Sequence, residues 1–231
     1  METIDVATPV GRGRLTLSLA TSGQLGPDAP RALLLVGHGA GGGIDTLDLA
    51  ALALELPTRG IAVARYEQPW RLAGRKVATP PATLDAGWRP ALDAVAARFP
   101  GVPLVVGGRS AGARVACRCF EPPAIGVVAL SFPLHPPGRP EKSRATELAA
   151  VDAPVLLVSG DRDPFGSPEE LRAAIASGQA GPRTLVVVEG SAHSFRALSR
   201  KRLDAGEAPI ERQIADDVAG FVGGLTQLPM R

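Results

Sequence analysis

A serine with glycine two residues before and two residues after it is the clearest chemical feature of the chain. Gly108, Ser110 and Gly112 form the only Gly-x-Ser-x-Gly pattern. An apolar, β-branched run precedes the pattern and an amphipathic stretch follows it, which predicts a tight turn from a strand into a helix. The hydroxyl would then lie at the amino end of a helix, where backbone N–H groups stabilise negative charge. This context favours a nucleophile over the alternative, a glycine-rich turn with a capping serine.

A serine nucleophile needs a base, and the chain offers three histidines. With this type of strand-turn-helix nucleophile, the chain order is serine, then an acid, then histidine. His38 precedes Ser110, and His135 precedes the next strand end that carries an acid. His193 remains, in a loop after the last predicted strand. A lone loop histidine is more often a surface residue, but its order and position predict His193 as the base.

The acid should follow the strand predicted at 155–159, where the sequence reads Gly160-Asp161-Arg162-Asp163-Pro164. Asp163 is the preferred candidate. Asp161 comes immediately after the strand and is better placed to accept hydrogen bonds from the backbone of the turn. The alternative for both residues is an Asx pair that serves only the turn.

Stabilising an oxyanion requires two N–H donors, and one should be the amide of Ala111, directly after the nucleophile. The second is expected from the glycine-rich loop that follows the strand at 32–36, where His38 and Gly39 are predicted to contact substrate. Glycine lets such a backbone approach a ligand closely. A nucleotide-binding loop is the competing interpretation. It is disfavoured because the loop lacks the Lys-Ser/Thr ending, and no acid closes the strand at 61–65.

Basic residues and one further histidine flank these positions. Arg109 and Arg114 could hold a substrate carboxylate or phosphate, although anchoring of neighbouring loops is the favoured alternative. His135, in a proline-rich crossover, is a candidate for the pocket rim. Charge runs are most often solvated, so an anionic-substrate role is the lesser interpretation of a basic cluster after His193. The cluster comprises Arg196, Arg200, Lys201 and Arg202.

The elements that must position these residues alternate between apolar runs and amphipathic stretches, which predicts an α/β fold with a mostly parallel sheet. Strands are predicted at 14–20 (an edge strand), 32–36, 61–65, 103–106, 125–130, 155–159 and 184–188. Helices are predicted at 46–56, 83–99, 110–120, 168–177 and 210–225, on both faces of about seven strands. The crossover after 125–130 has room for one short helix and is too short for a large cap. We expect residues 1–231 to form a single domain.

Composition excludes several classes of protein. With 25 Lys and Arg against 23 Asp and Glu, the net charge of +2 provides no sustained field for nucleic acid or an anionic membrane. No stretch has the length and apolar character of a membrane span, and the first residues lack the pattern of a secretory signal. We expect a cytoplasmic protein with Cys117 and Cys119 reduced. Arginine and alanine usage suggests a bacterial source.

Longer strings of residues add a family resemblance that covers nearly the whole chain. They are Gly107–Arg114 (Gly-Gly-Arg-Ser-Ala-Gly-Ala-Arg), Ser131–Pro136 (Ser-Phe-Pro-Leu-His-Pro), Pro154–Gly160 (Pro-Val-Leu-Leu-Val-Ser-Gly) and Ala192-His193-Ser194. Together with the order of the motifs, they resemble the α/β-hydrolase superfamily. In particular, they resemble its small, capless, dienelactone-hydrolase-like group, which includes the testis-expressed hydrolase-like proteins.

The resemblance implies an α/β-hydrolase fold with Ser110 as nucleophile, Asp163 as orienting acid and His193 as base. By analogy, Ala40 and Ala111 would supply the oxyanion amides. True dienelactone hydrolases use a cysteine nucleophile, whereas this chain has Ser110, so dienelactone is not the expected substrate. We expect a serine hydrolase acting on a small acyl compound, with no metal or organic cofactor. A non-catalytic scaffold and an acyltransferase with the same triad remain alternatives.

Overall fold

The computed structural model describes residues 2–20, 30–176, 181–196 and 208–227, and its strands all belong to one sheet. The strands are β1 (Glu2–Thr8), β2 (Gly11–Ser18), β3 (Ala32–Gly37), β4 (Ile61–Glu67), β5 (Leu104–Arg109), β6 (Ala124–Leu130), β7 (Val155–Gly160) and β8 (Arg183–Val188). The helices are α1 (Leu47–Glu55), α2 (Pro69–Leu72), α3 (Pro81–Arg98), α4 (Ala111–Arg118), α5 (Ala145–Ala149), α6 (Pro168–Ala176) and α7 (Ala208–Gln227). Short 3₁₀ turns occur at Pro57–Arg59 and Pro140–Lys142.

The sheet order is β1-β2-β4-β3-β5-β6-β7-β8. β1 pairs with β2 and β2 with β4 in antiparallel fashion, whereas all pairs from β4 to β8 are parallel. The carboxyl ends of the parallel strands therefore lie at one edge of the sheet. Ligand and catalytic groups collect at this edge in open α/β sheets.

Two expectations about the sheet need correction. The described residues contain eight strands instead of about seven, and the segment predicted as an edge strand, β2, is the second strand from the edge. The additional strand is β1, which forms the edge and presents mostly exposed or half-exposed side chains. A strand with so little burial carries a weak apolar signal. The four-residue helix α2 was also not predicted.

Helices cover both faces of the sheet, as predicted. One apolar core lies under α3, α4, α5 and α6, and the other lies under α1 and α7. On the first face, the buried Trp88 of α3 packs edge-on against Tyr66 of β4 with ring centroids 6.0 Å apart. The Tyr66 hydroxyl donates a 2.5 Å hydrogen bond to the carbonyl of Gly87. Trp88 thus holds α3 against the sheet.

The crossover from β6 to β7 holds only the second 3₁₀ turn and α5, so no large cap covers the sheet edge.

Cys117 and Cys119 are buried and unpaired, as expected for two cysteines two residues apart on a helix. No helix in the described ranges is both long and apolar enough to cross a membrane.

Candidate active site

The turn that carries Ser110 has the geometry of a nucleophile elbow. β5 ends at Arg109 and α4 begins at Ala111, so Ser110 alone makes the turn, with φ 53° and ψ −111°. Such a left-handed φ is uncommon for a residue with a side chain, and it is retained at sites where the surroundings enforce it. The half-buried serine is therefore held in place at the amino end of α4.

Close backbone packing explains the two glycines of the motif. A Cβ at Gly108 would lie 2.6 Å from the carbonyl oxygen of Gly37, and a Cβ at Gly112 would overlap the same carbonyl group. Only glycine permits β3 and α4 to approach this closely. This contact also brings the loop after β3 against the nucleophile.

Ser110, Asp163 and His193 come together at the carboxyl edge of the sheet. The His193 Nε2 and Ser110 Oγ atoms lie 2.9 Å apart, and Nδ1 lies 2.7 Å from Asp163 Oδ2. Because the carboxylate can only accept, Nδ1 carries the proton and Nε2 accepts from the serine hydroxyl. The sequence separations are 83 and 30 residues, so the fold alone creates the contact.

The two aspartates after β7 have different partners. Asp163 is buried, and its Oδ1 accepts a 2.9 Å hydrogen bond from the Phe165 N–H, leaving Oδ2 for His193. Asp161 Oδ1 accepts a 3.0 Å hydrogen bond from the N–H of Ser191. Asp161 therefore ties the β7 turn to the loop that precedes His193, whereas Asp163 faces the imidazole.

Phe165 is a site residue that the sequence analysis missed. Its ring centroid lies 4.2 Å from that of His193, with the planes tilted by 33°. The ring shields one face of the imidazole from water and limits its rotation. The only sequence feature that points to Phe165 is its position two residues after Asp163. That spacing does not predict a contact with His193.

The glycine-rich loop after β3 lies against Ser110. A Cβ at Gly39 would be 3.3 Å from the Ser110 Cβ, so the loop backbone runs directly beside the serine. Ala40 and Ala111 line the same small pocket next to it. Within the described ranges, neither the Ala40 N–H nor the Ala111 N–H has a backbone acceptor outside its own helix or strand. Among the described residues, both amides therefore lack a backbone acceptor of this kind, which is a requirement for the oxyanion donors expected here.

His38 is buried and supports this loop with both ring nitrogens. Nδ1 lies 2.8 Å from the Gly39 carbonyl oxygen, and Nε2 accepts a 3.1 Å hydrogen bond from the Gln68 N–H. These partners require a neutral ring protonated at Nδ1. Burial agrees with a neutral ring, because it lowers the pKa of His38. The expected substrate contact by the His38 side chain does not fit this placement, since both nitrogens are occupied.

Arg109 is likewise buried, with 7% of its surface exposed. Its Nη2 donates a 2.9 Å hydrogen bond to the His193 carbonyl oxygen, and its Nε lies 3.2 Å from Oδ2 of the fully buried Asp48. The guanidinium is therefore engaged inside the protein. This placement corrects the expectation of a substrate contact and fits the anchoring alternative.

Arg114 and His135 also have internal partners. Arg114 forms hydrogen bonds of 2.8 and 2.5 Å with the Glu147 carboxylate of α5. His135 is buried, with Nδ1 2.9 Å from the Pro136 carbonyl and Nε2 3.2 Å from Glu170 Oε1. The Pro136 hydrogen bond, followed by the Glu170 contact, raises the pKa of His135. The Arg114 contacts fit the anchoring alternative, whereas the occupied ring of His135 does not fit the expected substrate contact at the pocket rim.

Of the basic cluster after His193, only Arg196 belongs to the described residues, where it is exposed. Arg200, Lys201 and Arg202 lie outside them. No group of three or more His, Cys, Asp or Glu side chains within the described ranges has the arrangement of a metal site.

Comparison with known proteins agrees with this architecture. An alpha-beta serine hydrolase homologue from Coxiella burnetii matches with a TM-score of 0.73 at 15% identity, over 94% of this chain and 97% of that one. A serine hydrolase without a lid from Xanthomonas campestris matches at 0.69 and 20% identity, over 96% and 94%. Est1E from Butyrivibrio proteoclasticus matches at 0.69 and 15% identity, over 95% and 100%.

The family itself follows from the sequence model described as "Alpha/beta hydrolase domain", which matches residues 30–223. This range contains β3 to β8 and all three residues of the Ser-His-Asp cluster. The chain therefore belongs to the alpha/beta hydrolase family.

Proposed function

We propose that the protein is a serine hydrolase that cleaves an ester, thioester or related acyl compound through a covalent acyl-enzyme on Ser110. The main support for this proposal is the pair of short contacts that His193 makes, 2.9 Å to Ser110 Oγ and 2.7 Å to Asp163 Oδ2. Both lie within the reach that proton transfer requires. A non-catalytic scaffold would not require this alignment.

In the proposed reaction, Ser110 Oγ attacks the substrate carbonyl carbon while His193 Nε2 accepts the hydroxyl proton. Asp163 holds the imidazole in the required tautomer and stabilises its positive charge. The Ala40 and Ala111 amides donate to the oxyanion, and Gly39 lines the path of the substrate. The imidazolium then protonates the leaving group, and water hydrolyses the acyl-enzyme by the same steps. An acyltransferase would use the same intermediate with another acceptor.

The test is the mass of the intact protein after incubation with a small fluorophosphonate. We expect one stoichiometric adduct on the parent protein, and none on Ser110→Ala or His193→Ala, because an activated serine is required. Circular dichroism of the three proteins confirms that each is folded. Absence of an adduct on the folded parent would contradict the proposal and favour the scaffold alternative.

A cavity of only about 10 Å³, room for about one water molecule, lies next to Ala111, so this space admits at most a very short acyl group. Its lining includes Ala40, Ala111, Trp70, Leu84 and Trp88. A separate groove of about 290 Å³ lies beyond it and is lined by residues including Val10, Arg12 and Thr83. Gln68 and Trp70 line both spaces. We propose that Trp70 restricts the enzyme to short acyl groups.

Replacing Trp70 with alanine should join the pocket to the groove and let longer chains bind. For p-nitrophenyl esters, we expect the ratio of kcat/KM for octanoate to that for acetate to rise about tenfold, since each buried methylene adds to binding. Val10→Ala truncates a side chain that lines the groove but not the pocket beside Ala111, so this variant should leave the ratio unchanged. An unchanged ratio in Trp70→Ala would show that another side chain sets the limit.

A further inference from the structure

The guanidinium of Arg109 touches three segments that each carry a part of the proposed machinery. Arg109 itself precedes the nucleophile at the end of β5. Its Nη2 reaches the loop of the base through the His193 carbonyl, and a Cβ at Gly39 would lie 3.2 Å from Nη1. The Arg109 side chain thus lies close to the nucleophile, to the loop that carries the base and to the loop expected to supply an oxyanion donor.

Asp48 completes this arrangement from the opposite side. It lies in the first turn of α1, directly after the glycine-rich loop, and it has no exposed surface. Burial raises the pKa of the Asp48 carboxyl, and the positive charge of Arg109 opposes that rise. A buried carboxylate and guanidinium are each costly to desolvate, so removing one strands the other. The pair therefore links α1 to the residue before the nucleophile through a buried ion pair, although the contact lacks the geometry of a hydrogen bond.

The loop of the base is attached on both sides of the imidazole, where the Ser191 carbonyl accepts a hydrogen bond from the Arg162 N–H and the Ala192 carbonyl accepts one from the Phe195 N–H. Phe195 anchors it two residues later in the apolar core, and Asp161 holds the Ser191 N–H two residues earlier. Across the described ranges, no backbone N–H donates to the His193 carbonyl. The bond from Arg109 reaches the His193 carbonyl itself, whereas the backbone hydrogen bonds beside it end on Ser191 and Ala192.

We infer that Arg109, held by Asp48, is a positioning residue that sets the distance between the His193 imidazole and the Ser110 hydroxyl. This inference rests on the proposed function and adds a role that the triad does not include. Arginine suits it because its planar fork serves the carboxylate and the carbonyl at the same time. A lysine ammonium keeps the charge beside Asp48 but has a single nitrogen, so it cannot bridge both groups.

The test compares Arg109→Lys with Arg114→Lys. The control replaces an arginine of α4, four residues after Ser110, whose described partner is Glu147 of α5. We expect Arg109→Lys to lower kcat and the rate constant for fluorophosphonate labelling about 10²-fold, with KM within about twofold, because small misplacements of reacting groups have effects of this size. Arg114→Lys should change both rates less than about threefold.

Folding effects are separated by measuring the rates well below the thermal midpoint and by a second variant, Asp48→Asn. The substituted amide is uncharged and similar in shape to the carboxylate, so it weakens the anchor of Arg109 while leaving the Arg109 bond to His193 available. Asp48→Asn should lower the labelling rate in the same direction, by less. If either variant lowers the thermal midpoint but reacts as fast as the folded parent, the role is structural and the inference is wrong. A folded parent that is not labelled would instead refute the proposed function.

Discussion

Ser110→Ala and His193→Ala should each lower kcat by on the order of 10⁴ to 10⁶, and the double variant should be no slower than the worse single variant. The imidazole has no proton to take when the hydroxyl is missing, and the hydroxyl is not activated when the imidazole is missing. Because the 2.9 Å contact makes the two groups one unit, their effects cannot add. The measurement is steady-state hydrolysis of a short-chain p-nitrophenyl ester.

Ser159→Ala is the matched control. Ser159 lies near the carboxyl end of β7, is buried, and its hydroxyl has no hydrogen-bond partner in the described part of the protein. Removing an unpaired buried hydroxyl is close to neutral for stability, so this variant should retain the parental kcat. If the double variant were slower than both single variants by a further factor of about 10⁴, the two residues would act independently. The triad mechanism would then be wrong.

The candidate site could be predicted from the sequence because its parts obey local rules. Gly108, Ser110 and Gly112 encode the turn in five residues, and each further candidate follows a recognisable strand. Parallel strands bring their carboxyl ends to one edge, so order along the chain becomes proximity in space. The positions of Asp163 after β7 and of His193 after β8 were enough to select these two residues as candidates.

The supporting contacts could not be predicted, because nothing local specifies them. Asp48 in the first turn of a helix looks like an ordinary partner for the helix dipole, and only the fold places it beside Arg109. The bond from Arg109 to the His193 carbonyl joins residues 84 positions apart. For His38 and His135, residue type suggested substrate contacts, whereas hydrogen bonds to the neighbouring backbone occupy the rings. Residue type alone does not reveal which polar groups are already paired.

Asp163→Asn should lower kcat by on the order of 10⁴, which is the effect of holding the base in the wrong tautomer. The structure determines which way the new amide points. Asp163 Oδ1 accepts the Phe165 N–H, so the oxygen of the substituted amide takes that place and its NH₂ group faces His193 Nδ1. Donation from this NH₂ group moves the imidazole proton to Nε2. A protonated Nε2 cannot accept the Ser110 proton.

Asp161→Asn is the comparison that decides between the two aspartates. Asp161 accepts one N–H, from Ser191, and an asparagine side-chain oxygen can accept the same bond. This variant should therefore keep kcat within a few-fold of the parent. Measured on one ester at the pH optimum of the parent, the two variants should differ by about three orders of magnitude. A large loss in Asp161→Asn with parental activity in Asp163→Asn would reverse the assignment, and the 2.7 Å contact of Asp163 with His193 would then be a structural hydrogen bond.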